Sequence, residues 1–182
     1  MRLSCDRRAT ERRTALYEPW ASLMRAGAKT IETRSWYTSH LGLLLICSSA
    51  KRDTSSLELL GQESFQRGLA PLRKPGRLVV APSELPFGKA VALVDMIACR
   101  RAEAVSLTRI GADMPFGDFS RGRHAFLTSN LRVFDPLPVR GDEAWSCRSR
   151  GQGTCCSARM AGPRSGLVYA FFSRGAATCS MS

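Results

Sequence analysis

The first third of the chain shows apolar residues in two different periods. Between Glu18 and Gly27 they recur at intervals of three and four, which predicts an amphipathic helix that opens around Pro19 and stops at the glycine. Residues 30–36 alternate with a period of two and predict a strand. Residues 43–49 are mostly apolar and predict a second strand. A helix followed by two strands is therefore expected.

The middle of the chain combines a helical pattern with a proline-rich stretch. Residues suited to a helix N-cap begin at Asp53, and the apolar spacing continues to Gly68, which predicts a second helix. Residues 69–88 contain four prolines and predict a loop. We expect at most a short strand within this loop, at residues 78–81.

Strands are expected to dominate the second half. Residues 90–97 are almost continuously apolar and predict a strand that is covered on both faces, in which Asp95 needs a partner. Two further strands are expected around residues 123–128 and 132–134. Because no strand–helix–strand unit repeats, the pattern favours an α+β fold, a small mixed β-barrel with two or three flanking helices.

The strand predicted at residues 30–36 carries the most informative chemistry. Since side chains alternate across a strand, Glu32, Arg34 and Trp36 share one face, and Lys29 stands at its mouth. An acid, two cations and a flat ring can hold a polar planar group such as a nucleobase. An ordinary ion pair on a half-exposed strand and a core tryptophan are the competing interpretation of the same residues.

Charge is concentrated at the two ends of the chain. The formal net charge is +12, and residues 1–14 hold five arginines against two acids, whereas residues 146–182 hold five arginines and no acid. Such clusters attract nucleic acid, or they serve as solubilising tails.

Composition divides the chain into a basic N-terminal extension at residues 1–13, a folded domain at residues 14–146, and an extension rich in Arg, Gly, Ser and Cys at residues 147–182. We expect this last extension to be partly disordered or aberrant.

The sequence offers little support for a membrane segment, a disulfide framework or a cofactor. Its longest apolar runs are too short to cross a bilayer, and no apolar segment of a secretory signal follows the N-terminal arginines. We therefore expect a cytoplasmic protein with no membrane partner. The seven cysteines form no C-x-x-C pair and no histidine follows His124, so free thiols are expected, with no zinc site and no other cofactor.

Several short motifs follow one another in order: Tyr17-Glu18-Pro19-Trp20-Ala21, the Gly-x-Lys-x-x-Glu-x-Arg-x-Trp segment at residues 27–36, Phe116-Gly117-Asp118-Phe119, and Pro138-Val139-Arg140-Gly141 followed by Trp145. Together they resemble the ASCH domain family across residues 14–146. The resemblance implies a PUA-like β-barrel with a cleft beside residues 27–36. It also implies an association with RNA or nucleotides. Some members are reported as amidohydrolases acting on an acetylated cytidine, and others as ribonucleases.

The cleft that the resemblance implies gathers the candidate ligand-binding residues Lys29, Glu32, Arg34, Trp36, Ser48, Ser49 and Lys51. The leading hypothesis is a module that binds RNA or a nucleotide: Lys29 and Arg34 meet phosphate or a polar edge, Glu32 accepts from an amine, and Trp36 stacks on a base. The alternative is a small hydrolase, acting on RNA or an acylated cytidine, in which Lys29 and Glu32 are catalytic. In either case RNA or a nucleotide is the expected partner.

The chain also departs from the pattern that the resemblance implies. Family members usually have Arg near position 41 and His near position 47, where this chain has Leu41 and Cys47. The amidohydrolase members place a hydroxyl residue three positions after the lysine, where this chain has Glu32. Asp118 lies close in sequence to Arg123 and His124 and offers acid and base groups, but turn chemistry explains these residues adequately.

Overall fold

The structure, a computed structural model, describes residues 12–139 of the chain. Within this range five strands run β1 (Arg12–Leu16), β2 (Ile31–Arg34), β3 (Gly42–Ser48), β4 (Lys89–Arg101) and β5 (His124–Pro138). Four short helices run α1 (Trp20–Arg25), α2 (Thr54–Glu58), α3 (Glu63–Gly68) and α4 (Leu107–Ile110). Short 3₁₀ turns occur in several of the connections.

The five strands form one curled sheet in the order β1-β3-β4-β5-β2. Strand β1 runs parallel to β3, and the remaining neighbours are antiparallel. The sheet is a half-barrel with β1 and β2 at its two edges, and the short helices flank it. The α+β, PUA-like fold expected from the sequence is confirmed.

Strands β4 and β5 make the longest antiparallel pair of the sheet. The two strands expected around residues 123–128 and 132–134 are one continuous strand. Asn130, which lies between the two expected strands, has a φ of 50° and falls in an irregularity of the β4–β5 ladder. Asp95 has the partners that it needs: Asn130 Nδ2 at 2.8 Å and Arg132 Nη2 at 2.6 Å.

Strand β1 was not expected from the sequence. Arg12 pairs with Leu44 and Leu16 with Ser48 along the edge of the sheet. Of the proposed N-terminal extension, Arg12 and Arg13 lie in this strand, and the remainder is outside the described residues, as are residues 147–182. The strand carries two charged residues and only a short apolar end, so its own pattern gives a weak signal.

The helices follow the sequence in part. Helix α1 ends before Gly27, whose φ of 76° suits a glycine, as expected. The single helix expected after Asp53 is instead two helices, because Gln62 adopts an extended conformation between them. Asp53 does cap α2: its Oδ2 accepts from the Ser56 N–H at 3.0 Å. Residues 78–81 form no strand.

The core divides around α1. Leu16, Ile46 and Phe126 are among the residues of the sheet that pack against one side of this helix, with Met24. Leu23, on its other side, packs with Phe65 of α3 and with the loop that follows. Trp20 contacts both clusters, so the start of α1 lies between the sheet and the α2–α3 layer. Across residues 12–139, no helix has the length and apolar character needed to cross a membrane.

Candidate nucleic-acid interface

A cleft of about 730 Å³ lies beside the segment that joins α1 to β2. Its polar lining comprises Lys29, Glu32, Thr33, Arg34, Ser35, Ser49, Gln62, Asp118 and Arg123, and its aromatic lining comprises Tyr17, Trp20, Trp36, Phe65 and Phe116. The volume lies within the range of about 300–1,000 Å³ that is usual for pockets holding an organic ligand. Charged groups and aromatic faces therefore converge on one cavity.

Lys29 forms the buried floor of this cleft, with 2% of its surface exposed. Its Nζ donates to the carbonyl oxygens of Ile31 at 2.6 Å and Phe116 at 2.9 Å. It also lies 3.3 Å from Oε2 of Glu32. An ammonium has three N–H donors, so these three acceptors satisfy all of them.

Glu32 and Arg34 share one face of β2, as the alternation predicted. Glu32 Oε1 lies 3.1 Å from Arg34 Nε, and its other oxygen faces Lys29. The Glu32 carboxylate is therefore held between two cations, and only 9% of this residue is exposed. Each carboxylate oxygen can accept two hydrogen bonds, so the group keeps acceptor capacity toward the cleft.

Arg34 also reaches across the open side of the half-barrel. Its Nη2 donates to the carbonyl oxygen of Ala15 at 2.9 Å and to Thr14 Oγ1 at 3.3 Å. Since β1 and β2 are the two edges of the sheet, this guanidinium joins them without any backbone ladder. The same side chain thus closes the barrel and orients Glu32.

Asp113 fixes the loop that carries Lys29 into β2. Its Oδ1 accepts from the backbone N–H groups of Thr30 at 2.6 Å and Ile31 at 3.0 Å, and its Oδ2 accepts from the Thr30 hydroxyl at 2.7 Å. Arg109 donates to the same hydroxyl at 3.0 Å. The buried carboxylate therefore sets the position of the segment that holds the charged floor of the cleft. Sequence reasoning missed Asp113, which lies 83 residues away from Thr30.

The aromatic lining is fixed by edge-to-face packing. Trp36 lies 5.0 Å from the ring of Phe126, and Trp20 lies 6.4 Å from the ring of Phe65. Trp36 follows a bend after Arg34 and is not part of β2, so the strand expected at residues 30–36 is too long. Trp20, which its helical spacing assigns to the core, is only partly buried and also lines the cleft. Both indoles therefore combine core packing with a place in the cleft.

The three candidates at the end of β3 and just after it differ in their surroundings. Ser49 lines the cleft. Ser48 is buried beside Glu18 rather than in the cleft lining. The Nζ of Lys51 lies 5.7 Å from the ring centre of Tyr17, a cleft residue that is 42% exposed. Lys51 is therefore placed next to the rim, and it adds positive charge there.

Glu18 is a buried acid close to the cleft, with 1% of its surface exposed. Its Oε2 accepts from the Ser22 N–H at 3.2 Å. Burial raises the pKa of this carboxyl above its ordinary value, and the nearby hydroxyls of Ser48 and Ser22 oppose that rise. The neutral form of Glu18 is thus favoured by its surroundings.

Asp118 and Arg123 form the opposite wall of the cleft. Arg123 Nε lies 3.3 Å from Asp118 Oδ2, and Arg123 Nη2 donates to the Thr33 carbonyl at 3.1 Å. The Asp118 N–H donates to Thr33 Oγ1 at 3.2 Å. Hydrogen bonds from Ser120 lower the pKa of Asp118, and Arg123 adds to this effect. His124 points elsewhere, with its ring 5.8 Å from that of Tyr37.

Of the three departures from the family pattern, Glu32 lines the cleft, whereas Leu41 and Cys47 lie away from its lining. Leu41 is 61% exposed, and Cys47 is buried in the sheet. Burial raises the pKa of the Cys47 thiol to about 11. Within residues 12–139, no group of three or more His, Cys, Asp or Glu side chains is arranged to hold a metal ion.

Comparison with known proteins agrees with the fold and the motifs. The sequence profile of the ASCH domain matches residues 15–137. The chain is also 38% identical over 85 residues to Activating signal cointegrator 1 of Homo sapiens and, equally, to that of Mus musculus. The aligned part covers 47% of this chain, and the chain spans only 14% of the length of these curated relatives. The match over most of residues 12–139 shows that the chain belongs to the ASCH domain family.

Proposed function

We propose that this protein binds single-stranded RNA and that an amine-bearing base enters the cleft. One observation carries the proposal. The carboxylate of Glu32 is held between Lys29 and Arg34 at the floor of a cleft with aromatic walls. The membership of the ASCH domain family, which is associated with RNA, supports the same ligand class.

Glu32 is the base-reading group of this proposal. A carboxylate accepts hydrogen bonds from the amino group of cytosine, and the amino groups of adenine and guanine offer the same donor. Uracil has no amino group. Because the two cations fix both oxygens of Glu32, little conformational entropy is lost when a base binds.

Lys29 has an indirect role in binding. Its three donors already have acceptors, so it contacts a phosphate only by giving up one of them. We assign it the positioning of Glu32 and a positive charge beneath the ligand. Trp36, Trp20 and Tyr17 supply faces for stacking, which is worth about 1–3 kcal/mol per base in proteins that bind single strands.

A single strand suits this cleft better than a duplex. Sequence-specific binding of RNA usually requires unstacked bases, because the edges of paired bases are hidden in the deep groove of an RNA helix. Glu32 is largely buried, so only a base that leaves its stack can reach it. Lys51 and Arg123 near the cleft add charges that attract the backbone.

The hydrolase alternative with Lys29 and Glu32 stays a prediction with weaker support. A general base has to be neutral with a lone pair directed at the substrate. Lys29 instead donates toward two carbonyl oxygens and one carboxylate, an arrangement that suits the ammonium. We expect complex formation without turnover when either acylated cytidine or RNA is supplied.

The decisive experiment compares Glu32→Gln with Glu58→Gln in the full chain. Glu58 is exposed on α2, and both variants remove one negative charge, so non-specific attraction to RNA rises equally in the two. Fluorescence anisotropy would measure binding to short labelled oligomers of A, C, G and U. We expect Glu32→Gln to weaken binding of the amine-bearing oligomers at least about tenfold, the effect of one or two hydrogen bonds to a charged group.

The same measurement contains its own specificity control. Binding of oligo(U) should not fall in Glu32→Gln, because uracil offers no amine to the carboxylate. Glu58→Gln should bind all four oligomers as tightly as the unaltered chain or slightly more tightly. Equal affinities of the Glu32 and Glu58 variants for the amine-bearing oligomers would refute the proposal.

A further inference from the structure

One peptide group in the wall of the cleft offers a hydrogen-bond donor. The Phe116 carbonyl accepts from Lys29 Nζ at 2.9 Å, and Gly117, the next residue, lines the cleft. The backbone N–H of this glycine has no hydrogen-bond partner among the described residues. The following N–H, of Asp118, already donates to Thr33. The glycine N–H is therefore available to a ligand, since a backbone donor needs an acceptor.

The geometry of the peptide group directs this N–H away from the floor of the cleft. The bond between Phe116 and Gly117 is trans, and in a planar trans peptide the C=O and N–H groups point in opposite directions. The carbonyl points at the buried ammonium of Lys29, so the N–H points away from it. The hydrogen bond from the ammonium also polarises the peptide, which strengthens the N–H as a donor.

The Glu32 carboxylate supplies two acceptors next to this donor. Its Oε1 lies 3.1 Å from Arg34 Nε, and its Oε2 lies 3.3 Å from Lys29 Nζ. Each oxygen accepts two hydrogen bonds, so each keeps one place for a ligand. Lys29 contacts both this carboxylate and the Phe116 carbonyl, and it therefore holds the two acceptors and the Gly117 peptide around one ammonium.

We infer that the base bound in this cleft is guanine. The inference rests on the function proposed above and names the base among those that carry an amine. The Watson–Crick edge of guanine presents one acceptor, O6, followed by two donors, N1–H and the N2 amine. The two donors match the two oxygens of Glu32, and O6 matches the N–H of Gly117.

The other bases leave part of this pattern unmatched. Adenine and cytosine carry a ring nitrogen with a lone pair beside their amine, so that lone pair faces the second oxygen of Glu32. Uracil has a single N–H between two carbonyl oxygens. A buried polar group without a partner costs free energy, so a site built for two donors discriminates against bases that offer only one.

The test measures binding of the full chain to labelled oligomers of uridine that differ only in their central nucleotide. That nucleotide is guanosine, adenosine, cytidine, inosine or 6-thioguanosine. Inosine lacks only the N2 amine of guanosine, and 6-thioguanosine replaces O6 by sulfur, a weak acceptor. Fluorescence anisotropy would give the affinity for each oligomer.

We expect the guanosine oligomer to bind at least about tenfold more tightly than the adenosine and cytidine oligomers, the effect of one hydrogen bond to a charged group. Inosine should lose about tenfold for the same reason. The loss with 6-thioguanosine should be smaller, about two- to tenfold, because the N–H of Gly117 is a neutral donor. In Glu32→Gln the advantage of guanosine over inosine should fall below about threefold, since an amide offers only one acceptor. Glu58→Gln should keep the full advantage.

Three results would overturn the inference. The unaltered chain could bind the guanosine, adenosine and cytidine oligomers equally, or bind inosine as tightly as guanosine. It could also bind 6-thioguanosine as tightly as guanosine, which would exclude Gly117 as the group that reads O6. If equal affinities for the three amine-bearing bases all fall in Glu32→Gln, the proposed function holds and only the choice of guanine is wrong. If Glu32→Gln and Glu58→Gln bind every oligomer alike, the proposed function itself is refuted.

Discussion

The Nη2 atom of Arg34 lies 2.9 Å from the carbonyl oxygen of Ala15, and this contact joins the two edge strands of the sheet. An edge strand exposes unpaired backbone groups, and a side-chain donor satisfies one of them here. The same guanidinium holds Glu32 through Nε. Arg34 therefore contributes both to the charge arrangement of the cleft and to the closure of the barrel.

Replacing Arg34 by Lys should destabilise the protein although the charge is kept. A lysine ammonium is a single point and cannot reach both Glu32 and the Ala15 carbonyl in the fork geometry of arginine. We expect the free energy of unfolding to fall by about 1.5–3 kcal/mol, the range for hydrogen bonds that involve a charged group. Urea unfolding followed by tryptophan fluorescence would measure it.

The matched control for this change is Arg67→Lys. Arg67 pairs with Glu63 at 2.8 Å, but both side chains are largely exposed. Exposed pairs of this kind contribute about 0–1 kcal/mol, so the control should shift the unfolding midpoint little. An Arg34→Lys protein as stable as Arg67→Lys would show that the contact with β1 does not stabilise the fold.

Replacing Asp113 by Ala should destabilise the fold and weaken RNA binding together. The change leaves the N–H groups of Thr30 and Ile31 without their acceptor in a buried site. Each unsatisfied buried donor costs about 1–3 kcal/mol, so we expect a loss of at least about 2 kcal/mol. Asp135→Ala removes an exposed carboxyl from β5 and should change stability by less than about 0.5 kcal/mol. Chemical denaturation and anisotropy on both variants would separate the two roles.

The local part of the site could be predicted from the sequence, because it depends on strand alternation. Glu32 and Arg34 are two residues apart on β2, and period two places them on one face wherever the strand lies. Lys29 precedes β2, so the alternation of the strand does not place its side chain. Its burial beside the carbonyl of Phe116, 87 residues away in the sequence, could not be read from this alternation.

Contacts between residues that are distant in the sequence could not be predicted from the periodicity of apolar residues. Asp113 lies in a turn-rich segment with no periodic signal, yet it fixes the start of β2. Strand β1 is recognised only by its pairing with β3. The two strands expected around residues 123–128 and 132–134 are joined into one by the long β4–β5 ladder. In each case the tertiary partner, absent from the local sequence, decides the structure.

Gly68 is required by the packing of α3 against α1. A Cβ at this position would lie 2.6 Å from Leu23 Cδ2 and 3.1 Å from the ring of Phe116. We expect Gly68→Ala to lower the free energy of unfolding by about 1–3 kcal/mol, as other overpacked cores do. The comparison is Gly61→Ala, where a Cβ meets nothing within 4 Å and the protein should be unchanged or slightly more stable. Thermal unfolding of the two variants that gave equal midpoints would contradict the packing argument.

Glu18 should make stability depend on pH in the opposite sense from Asp95. Burial raises the pKa of Glu18 in the folded state above its ordinary value of 4.5. Below about pH 4.5 the carboxyl is protonated in both states. As the pH rises further, the unfolded chain ionises first, so the stabilising contribution of Glu18 is lost as the pH passes through the raised pKa of the folded state. Glu18→Gln lacks this loss and should become progressively more stable than the unaltered chain toward neutral pH.

Asp95→Asn is the comparison of opposite sign. The hydrogen bond from Asn130, assisted by Arg132, lowers the pKa of Asp95 below its ordinary value of 3.8. Its stabilising contribution is therefore present above about pH 3.8 and disappears as the pH falls through the lowered pKa. Urea unfolding between about pH 3 and pH 8 should show that Glu18→Gln gains stability relative to the unaltered chain as the pH rises. Asp95→Asn should instead lose stability relative to the unaltered chain as the pH rises from the acid end of this range. A Glu18→Gln difference that stays constant over this range would mean that the Glu18 carboxyl titrates alike in both states, and that its burial is relieved in solution.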